Sequence, residues 1–137
     1  MKRVFVDTSA FFAVVVNEDE CHTAADLLFR RAARQGWHLV TTNAVVFECY
    51  ALLLNRARQG RVKALAFLDS VEDLAIERLT PEDERAAARL VRAHGDKTSS
   101  LCDASSFVIM ERLEIIEALS FDDDFRSYGR FTILTAE

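Results

Sequence analysis

Two spacings of apolar residues alternate along this chain. Short runs rich in β-branched and aromatic side chains read as strands: Val4 to Val6, Trp37 to Thr41, Leu74 to Leu79, Ala118 to Phe121 and Phe131 to Leu134. Between them apolar positions recur at three- and four-residue intervals, the mark of one-sided helices. Thr8 and Ser9 offer capping hydroxyls for a helix through Val16. A second helix runs from Asp19 to about Gln35, with Ala24, Ala25, Leu27, Leu28 and Ala32 inward and Gly36 as a stop. Asn43 can cap a third, extending to about Arg58 and ended by Gly60, and Arg61 to Val71 forms a fourth. Thr80-Pro81-Glu82 opens a fifth, with proline in the first turn where its missing N–H costs little, and it reaches His94 and Gly95. After the polar stretch 96–100, a helix spans Cys102 or Asp103 to Leu113.

Strands alternating with helices predict an α/β fold: a three-layer α/β/α sandwich around a central parallel sheet, joined by right-handed crossovers. In such sheets ligands collect beyond the carboxyl ends of the strands, where the strand order reverses. At 137 residues, with four glycines and one proline and no repeat, the chain is expected to be one domain over 1–137. Half of the residues are hydrophobic, which excludes a disordered tail, and no apolar run approaches the ~18 residues of a membrane span. Met1-Lys2-Arg3 leads directly into a strand without the apolar core of a secretory signal, so the expected location is the cytoplasm. Cys21, Cys49 and Cys102 are odd in number and far apart, which fits reduced thiols better than a disulfide framework or a zinc knuckle.

The candidate chemistry lies in the acids. Asp7 and Asp122 each follow a predicted strand at the ligand edge, Asp103 opens a helix whose preceding loop returns to that edge, and Glu48 stands in an apolar helix. The residues three and four positions from Glu48 are Ala44, Val45, Ala51 and Leu52, so its own helix offers no basic partner. Each acid has an ordinary explanation by itself: a helix cap for Asp7, a favourable dipole position for Asp103, a solvated turn for Asp122-Asp123-Asp124, and a partly packed stem for Glu48. Together, four carboxylates converging on one strand edge would repel one another unless cations neutralised them. All-oxygen ligation favours Mg²⁺ or Mn²⁺ over zinc. His22, His38 and His94 share no short spacing and read as surface or structural residues. A carboxylate cage with Mg²⁺ suits hydrolysis of a phosphate ester.

Four blocks make this more specific: VFVDTSAFFAVV at the start, Glu48 in the middle helix, DKTSSLCDASSFVIM, and EALSFDDDF. In their order and spacing the chain resembles the PIN domain family, and within it the VapC-type toxin ribonucleases of prokaryotic toxin–antitoxin pairs. The resemblance implies a metal-dependent endoribonuclease with Asp7, Glu48, Asp103 and Asp122 as catalytic and metal-binding acids, supported by Ser9 and Ser106. Asp124 is a further candidate, since the family varies in which acid of such a run reaches the metal. One departure is Cys102, where the family often has Thr; a thiol is a weaker hydrogen-bond partner than a hydroxyl. The resemblance also implies a homodimer, and a small antitoxin that places a segment, often bearing an Arg, in the acidic pocket.

The net charge of −5 argues against a nucleic-acid partner until the four candidate acids are set aside, which leaves the rest of the chain close to neutral. Basic residues then become candidate RNA contacts: Lys97, Arg126, and Arg56, Arg58, Arg61 and Lys63 around Gly60. Arg30, Arg31 and Arg34 form a further cluster. The apolar runs Phe11 to Val15 and Leu52 to Leu54 exceed what one buried helix face needs, and beyond core packing they suit a protein contact. A phosphatase of the two-aspartate type is disfavoured because position 9 is Ser, and a dinucleotide site because no G-x-G-x-x-G follows the first strand. The alternatives that stay open are a catalytically silent RNA- or protein-binding PIN module and an RNA-processing PIN nuclease outside a toxin–antitoxin pair.

Overall fold

Val4, Phe5 and Val6 have no exposed surface, although a strand points successive side chains to opposite faces. A strand buried on both sides belongs to the middle of a covered parallel sheet, and β1 (Arg3–Val6) lies there. The structure, a computed structural model, describes residues 1–94 and 99–136. Its sheet has the order β3-β2-β1-β4-β5, with β2 at His38–Thr42, β3 at Ala75–Glu77, β4 at Glu117–Leu119 and β5 at Thr132–Ile133. All pairings are parallel, and Phe5 stands opposite Val40 on one side and Ala118 on the other. The predicted three-layer α/β/α architecture is the one observed.

The chain adds β2 and β3 outward on one side of β1, then returns to place β4 on the other. The order therefore reverses between β1 and β4, and a crevice opens beyond their carboxyl ends. The helices are α1 (Thr8–Val15), α2 (His22–Gln35), α3 (Asn43–Arg56), α4 (Gly60–Val71), α5 (Pro81–Ala93), α6 (Leu101–Arg112) and α7 (Asp123–Tyr128).

Several expectations shift. Thr42, not Asn43, caps α3: its hydroxyl accepts the Val45 N–H at 3.1 Å, while the Asn43 side chain accepts the Leu79 N–H at 3.0 Å and ties α3 to the end of β3. The second helix starts three residues later than expected, at His22, because the Asp19 carboxylate accepts the Cys21 N–H in a turn. Gly60 does not stop α3 but opens α4. A Cβ there would lie 2.5 Å from the Leu54 carbonyl oxygen and 2.6 Å from that of Leu53, so glycine is needed for close approach of the two helices. Gln59 takes the left-handed conformation instead, with φ of 53°.

The segment after β4, expected as an acidic turn, contains α7. Asp122 caps it by accepting the Asp124 N–H at 2.9 Å, and Gly129 ends it at φ of 77°. Phe125 anchors this short helix in the core, fully buried, stacked on Phe5 at 6.4 Å and edge-on to Phe107 at 4.8 Å. At the other end of α5 and α6, Arg112 grips Asp83 with two hydrogen bonds of 2.9 Å and reaches Glu77 at 3.1 Å. Asp83 also closes a capping box with Thr80, so one carboxylate fixes the start of α5 and its contact with α6. Among the described residues no helix is long and apolar enough to cross a membrane.

Candidate metal centre and its surroundings

Asp7 is the first residue after the central strand. Its backbone continues the sheet, with its N–H donating to Leu119 O at 3.0 Å, and it stands at the N-cap of α1. Its carboxylate makes no capping bond there. It turns into the crevice, where Oδ2 accepts the hydroxyls of Ser9 at 2.8 Å and Ser120 at 2.9 Å. Those two hydroxyls in turn accept the backbone N–H groups of Phe121, at 2.9 Å, and Asp122, at 3.1 Å. The network locks the carboxylate plane and joins the ends of β1 and β4. The other oxygen, Oδ1, is buried and has no hydrogen-bond partner among the described residues. A buried carboxylate oxygen without a donor is expensive unless a proton or a cation meets it.

Asp103, in the first turn of α6, is 5% exposed, and Ser100 caps that helix by accepting the Asp103 N–H at 3.0 Å. Asp7, Asp103 and Asp122 each present an oxygen to one point, with these atoms all within 4.8 Å of one another. An ion with oxygen ligands at ~2.1–2.6 Å spans opposite ligands separated by about 4–5 Å, so this spacing can hold a shared divalent cation. The three carboxylates come from three distant parts of the chain, and no Lys or Arg joins them by a salt bridge among the described residues.

The electrostatics follow from that crowding. Burial pushes Asp7 up to about 6, against the opposing effect of its Ser9 and Ser120 hydrogen bonds. Asp103 is raised further, first by burial and then by the charges of Asp7 and Asp122 and a hydrogen bond with the Asp124 carboxyl. Without a cation the cluster therefore retains protons near neutral pH, and a divalent ion would displace them.

Glu48 is half-buried on the wall of a cavity of about 350 Å³ that also borders Ser9, Asp122 and Arg56. It lies outside the tight triad but close enough for its charge to raise Asp103. Cys102 hydrogen-bonds to Glu48, and burial followed by the surrounding carboxylates pushes its thiol up. Cys102 thus stays protonated and donates to Glu48. Burial pushes Cys49 up to about 12, and all three cysteines are free.

The structure thus brings together Asp7, Asp103, Asp122, Ser9 and Asp124, with Glu48 at their edge. Ser106 is placed differently: it is fully buried in α6 and donates to Cys102 O at 3.1 Å, within its own helix. Sequence reasoning missed Ser120. A hydroxyl residue at the strand end, two before Asp122, was the available signal. Of the basic candidates, Arg56 faces the cavity, Arg58 and Arg61 are exposed at the α3–α4 turn, and Lys63 pairs with Glu18 at 3.8 Å. Arg126 is exposed on α7, 3.8 Å from Asp123, and Lys97 lies outside the described residues.

Comparison with known proteins matches this arrangement to a family. A family model described as PIN domain matches residues 4–130. The chain is 30% identical over 126 residues to the 23S rRNA-specific endonuclease VapC20 of Mycobacterium tuberculosis strain H37Rv, covering 92% of this chain and 94% of that protein. The crystal structure of M. tuberculosis VapC20, described as a Sarcin-Ricin loop cleaving toxin, superposes with a TM-score of 0.82 at 29% identity, over 93% of this chain and 95% of that one. VapBC2 of Rickettsia felis, solved with a DNA fragment from its promoter, shares the fold at a TM-score of 0.70 and 8% identity, over 96% of this chain and 97% of that one.

Proposed function

The chain belongs to the PIN domain family, and we propose that it is a Mg²⁺- or Mn²⁺-dependent endoribonuclease, the toxin of a VapBC-type pair. The observation that carries this reading is the convergence of Asp7, Asp103 and Asp122 within 4.8 Å at the sheet's switch point, with one buried Asp7 oxygen lacking a donor. In this reading Asp7, Asp103 and Asp122 hold the ion. When bound, a divalent cation supplies Lewis-acid polarisation of a phosphoryl oxygen and a lowered pKa for water.

The remaining work falls to the chain itself. Ser9 and Ser120 hold the Asp7 carboxylate in one orientation, so little reorganisation accompanies binding. Glu48, held by the Cys102 thiol at the cavity edge, orients the attacking water and accepts its proton. Asp124, against Asp103, completes the acid set. Attack of water on phosphorus breaks the P–O3′ bond, and the departing 3′-oxygen takes a proton from solvent, which leaves a 5′-phosphate and a 3′-hydroxyl. The exposed basic groups Arg56, Arg58, Arg61 and Arg126, with Lys63 and Lys97, are the proposed phosphate contacts.

The similarity to VapC20, an rRNA-specific endonuclease, supports a structured RNA as substrate. The free cysteines fit a cytoplasmic location. Phe47, 74% exposed, and Leu54 leave an apolar strip on α3 suited to protein contact, consistent with a homodimer and with an antitoxin partner. The acidic cavity beside Glu48 and Asp122 is suited to an antitoxin arginine.

The test is to incubate purified protein with total cellular RNA in Mn²⁺, Mg²⁺ or EDTA and map new 5′ ends. Discrete 5′-phosphate ends that require metal and vanish in Asp103→Asn are expected. Cleavage that persists in EDTA, or no cleavage with either metal, would overturn the proposal.

A further inference from the structure

A second cavity, of about 230 Å³, reaches Ala104 and Asp124 and is not lined by Glu48. Both residues belong to the centre already described: Ala104 follows Asp103, and the Asp124 carboxyl hydrogen-bonds to Asp103. The cavity thus borders the acid cluster through Ala104 and Asp124.

Its walls are unlike those of the Glu48 cavity. The half-buried Tyr128 supplies an aromatic side, backed by the buried Phe107 at 4.3 Å and 12°. The Arg130 guanidinium lies 5.7 Å from the Tyr128 ring centroid and is held by Glu111 at 3.3 Å. His94 donates from Nδ1 to the Leu90 carbonyl at 3.0 Å, because a carbonyl can only accept, which leaves Nε2 to meet a ligand. Ser99 and Ser127 also line the cavity, and each hydroxyl can both donate and accept. A phosphate suits this place poorly, since Arg130 is already paired and Asp124 is an acid. A flat, neutral group with donors and acceptors around its edge fits well.

We propose that this cavity is a specificity subsite that takes one unpaired nucleobase of the RNA, from the nucleotide next to the scissile phosphate. Single-stranded RNA is read in this way elsewhere, by splaying a base against aromatic side chains and hydrogen-bonding its edge. The inference rests on the ribonuclease reading of the acid cluster and extends it: the cluster cuts, and the His94–Ser127–Arg130 cavity selects where.

Two measurements test it, and the first requires neither metal nor catalysis. Guanosine, adenosine, cytidine, uridine and ribose are titrated separately into the metal-free protein and followed by amide NMR. At least one nucleoside should shift the signals of His94, Ser127, Tyr128 and Arg130 in a saturable way, at least tenfold tighter than ribose. Ser127→Trp, which fills the cavity, and His94→Ala, at an exposed helix end, should each weaken that binding at least fivefold. If Ser127→Trp does not fold, His94→Ala decides.

The second measurement maps cleavage sites on a pool of RNA hairpins whose loops are randomised. Wild type should show a base preference at one position flanking the cut, and both variants should flatten it. Nucleosides that bind no better than ribose, variants that bind as wild type does, or a preference unchanged by both variants would overturn the subsite. Wild type that binds nucleosides here but cuts no RNA with any metal would instead refute the ribonuclease reading.

Discussion

Replacing Asp7 with Asn should stabilise the metal-free protein while removing its response to metal. Burial raises the Asp7 pKa from 3.8 to about 6. A folded-state pKa above the unfolded value means that the native state binds the extra proton, so stability falls as pH rises from about 4 through about 6. Above that window the difference between 3.8 and about 6 amounts to about 3 kcal/mol, at ~1.36 kcal/mol per tenfold change in proton affinity. Asn cannot ionise and avoids this loss. Its amide oxygen can keep the Ser9 and Ser120 hydroxyls, and its NH₂ would point toward Asp103 and Asp122. Urea unfolding in EDTA should therefore show Asp7→Asn more stable than wild type by about 3 kcal/mol at pH 8, about 1.5 at pH 5 and nearly nothing at pH 3. For a chain of this size that corresponds to a Tm rise of about 10 °C at pH 8. Saturating Mn²⁺ should stabilise wild type and leave the variant unchanged, narrowing or reversing the order. An Asp7→Asn protein no more stable than wild type at pH 8 in EDTA, or a difference independent of pH, would refute the assignment of Asp7 as a buried carboxylate that needs a cation.

Other perturbations separate the roles of further groups. Mn²⁺ affinity measured by calorimetry should rise with pH between about 5.5 and 7.5, approaching tenfold per unit where one proton leaves per ion, because Asp7 and Asp103 hold protons that metal displaces; a flat profile would remove that coupling. Arg112→Ala strands the 2%-exposed Asp83 carboxylate and should cost about 2–3 kcal/mol in urea unfolding at pH 7. Burial raises the Asp83 pKa, but hydrogen bonds from Arg112 and Thr80 and the Arg112 charge outweigh it and leave the pKa lowered, so this loss should shrink as pH falls below about 4, where the unfolded carboxyl is protonated. Gly60→Ala drives a Cβ into the Leu53 and Leu54 carbonyls and should destabilise by at least about 1–3 kcal/mol, whereas Gly36→Ala, with open space around it, should suffer only the backbone cost of its φ of 69°. Binding of Asp103→Asn protein to RNA should weaken with salt at a slope reflecting the number of basic contacts, and no slope would exclude Arg56, Arg58, Arg61 and Arg126 as phosphate ligands.

Much of the fold was legible from spacing. The fully buried strand Val4 to Val6 read as continuous apolar sequence, Thr80-Pro81 marked the start of α5, and the alternation of periods implied a parallel sheet. Short features were harder. In α7 only six residues are helical, too few for a periodic pattern, and its Asp-rich start resembled a solvated turn; a single core residue, Phe125, holds it in place. Gly60 looked like a stop because glycine has the same letter whether it supplies a left-handed φ or room for a neighbouring backbone.

The acids divide in the same manner. That these carboxylates gather at one edge of the sheet was readable from their places at strand ends and from the absence of basic residues near Glu48 along its own helix, because those are local facts of spacing. Their partners were not. Ser120 meets Asp7 across 113 positions of sequence, and Asp122 and Asp103 share one point in space only because β4 returns beside β1. Local periodicity determines the elements, since side-chain burial repeats with backbone geometry. The distances between oxygens, the buried unpaired Asp7 Oδ1 and the base-sized cavity beside Asp124 depend on how those elements pack, and packing is a property of contacts that no window of sequence contains.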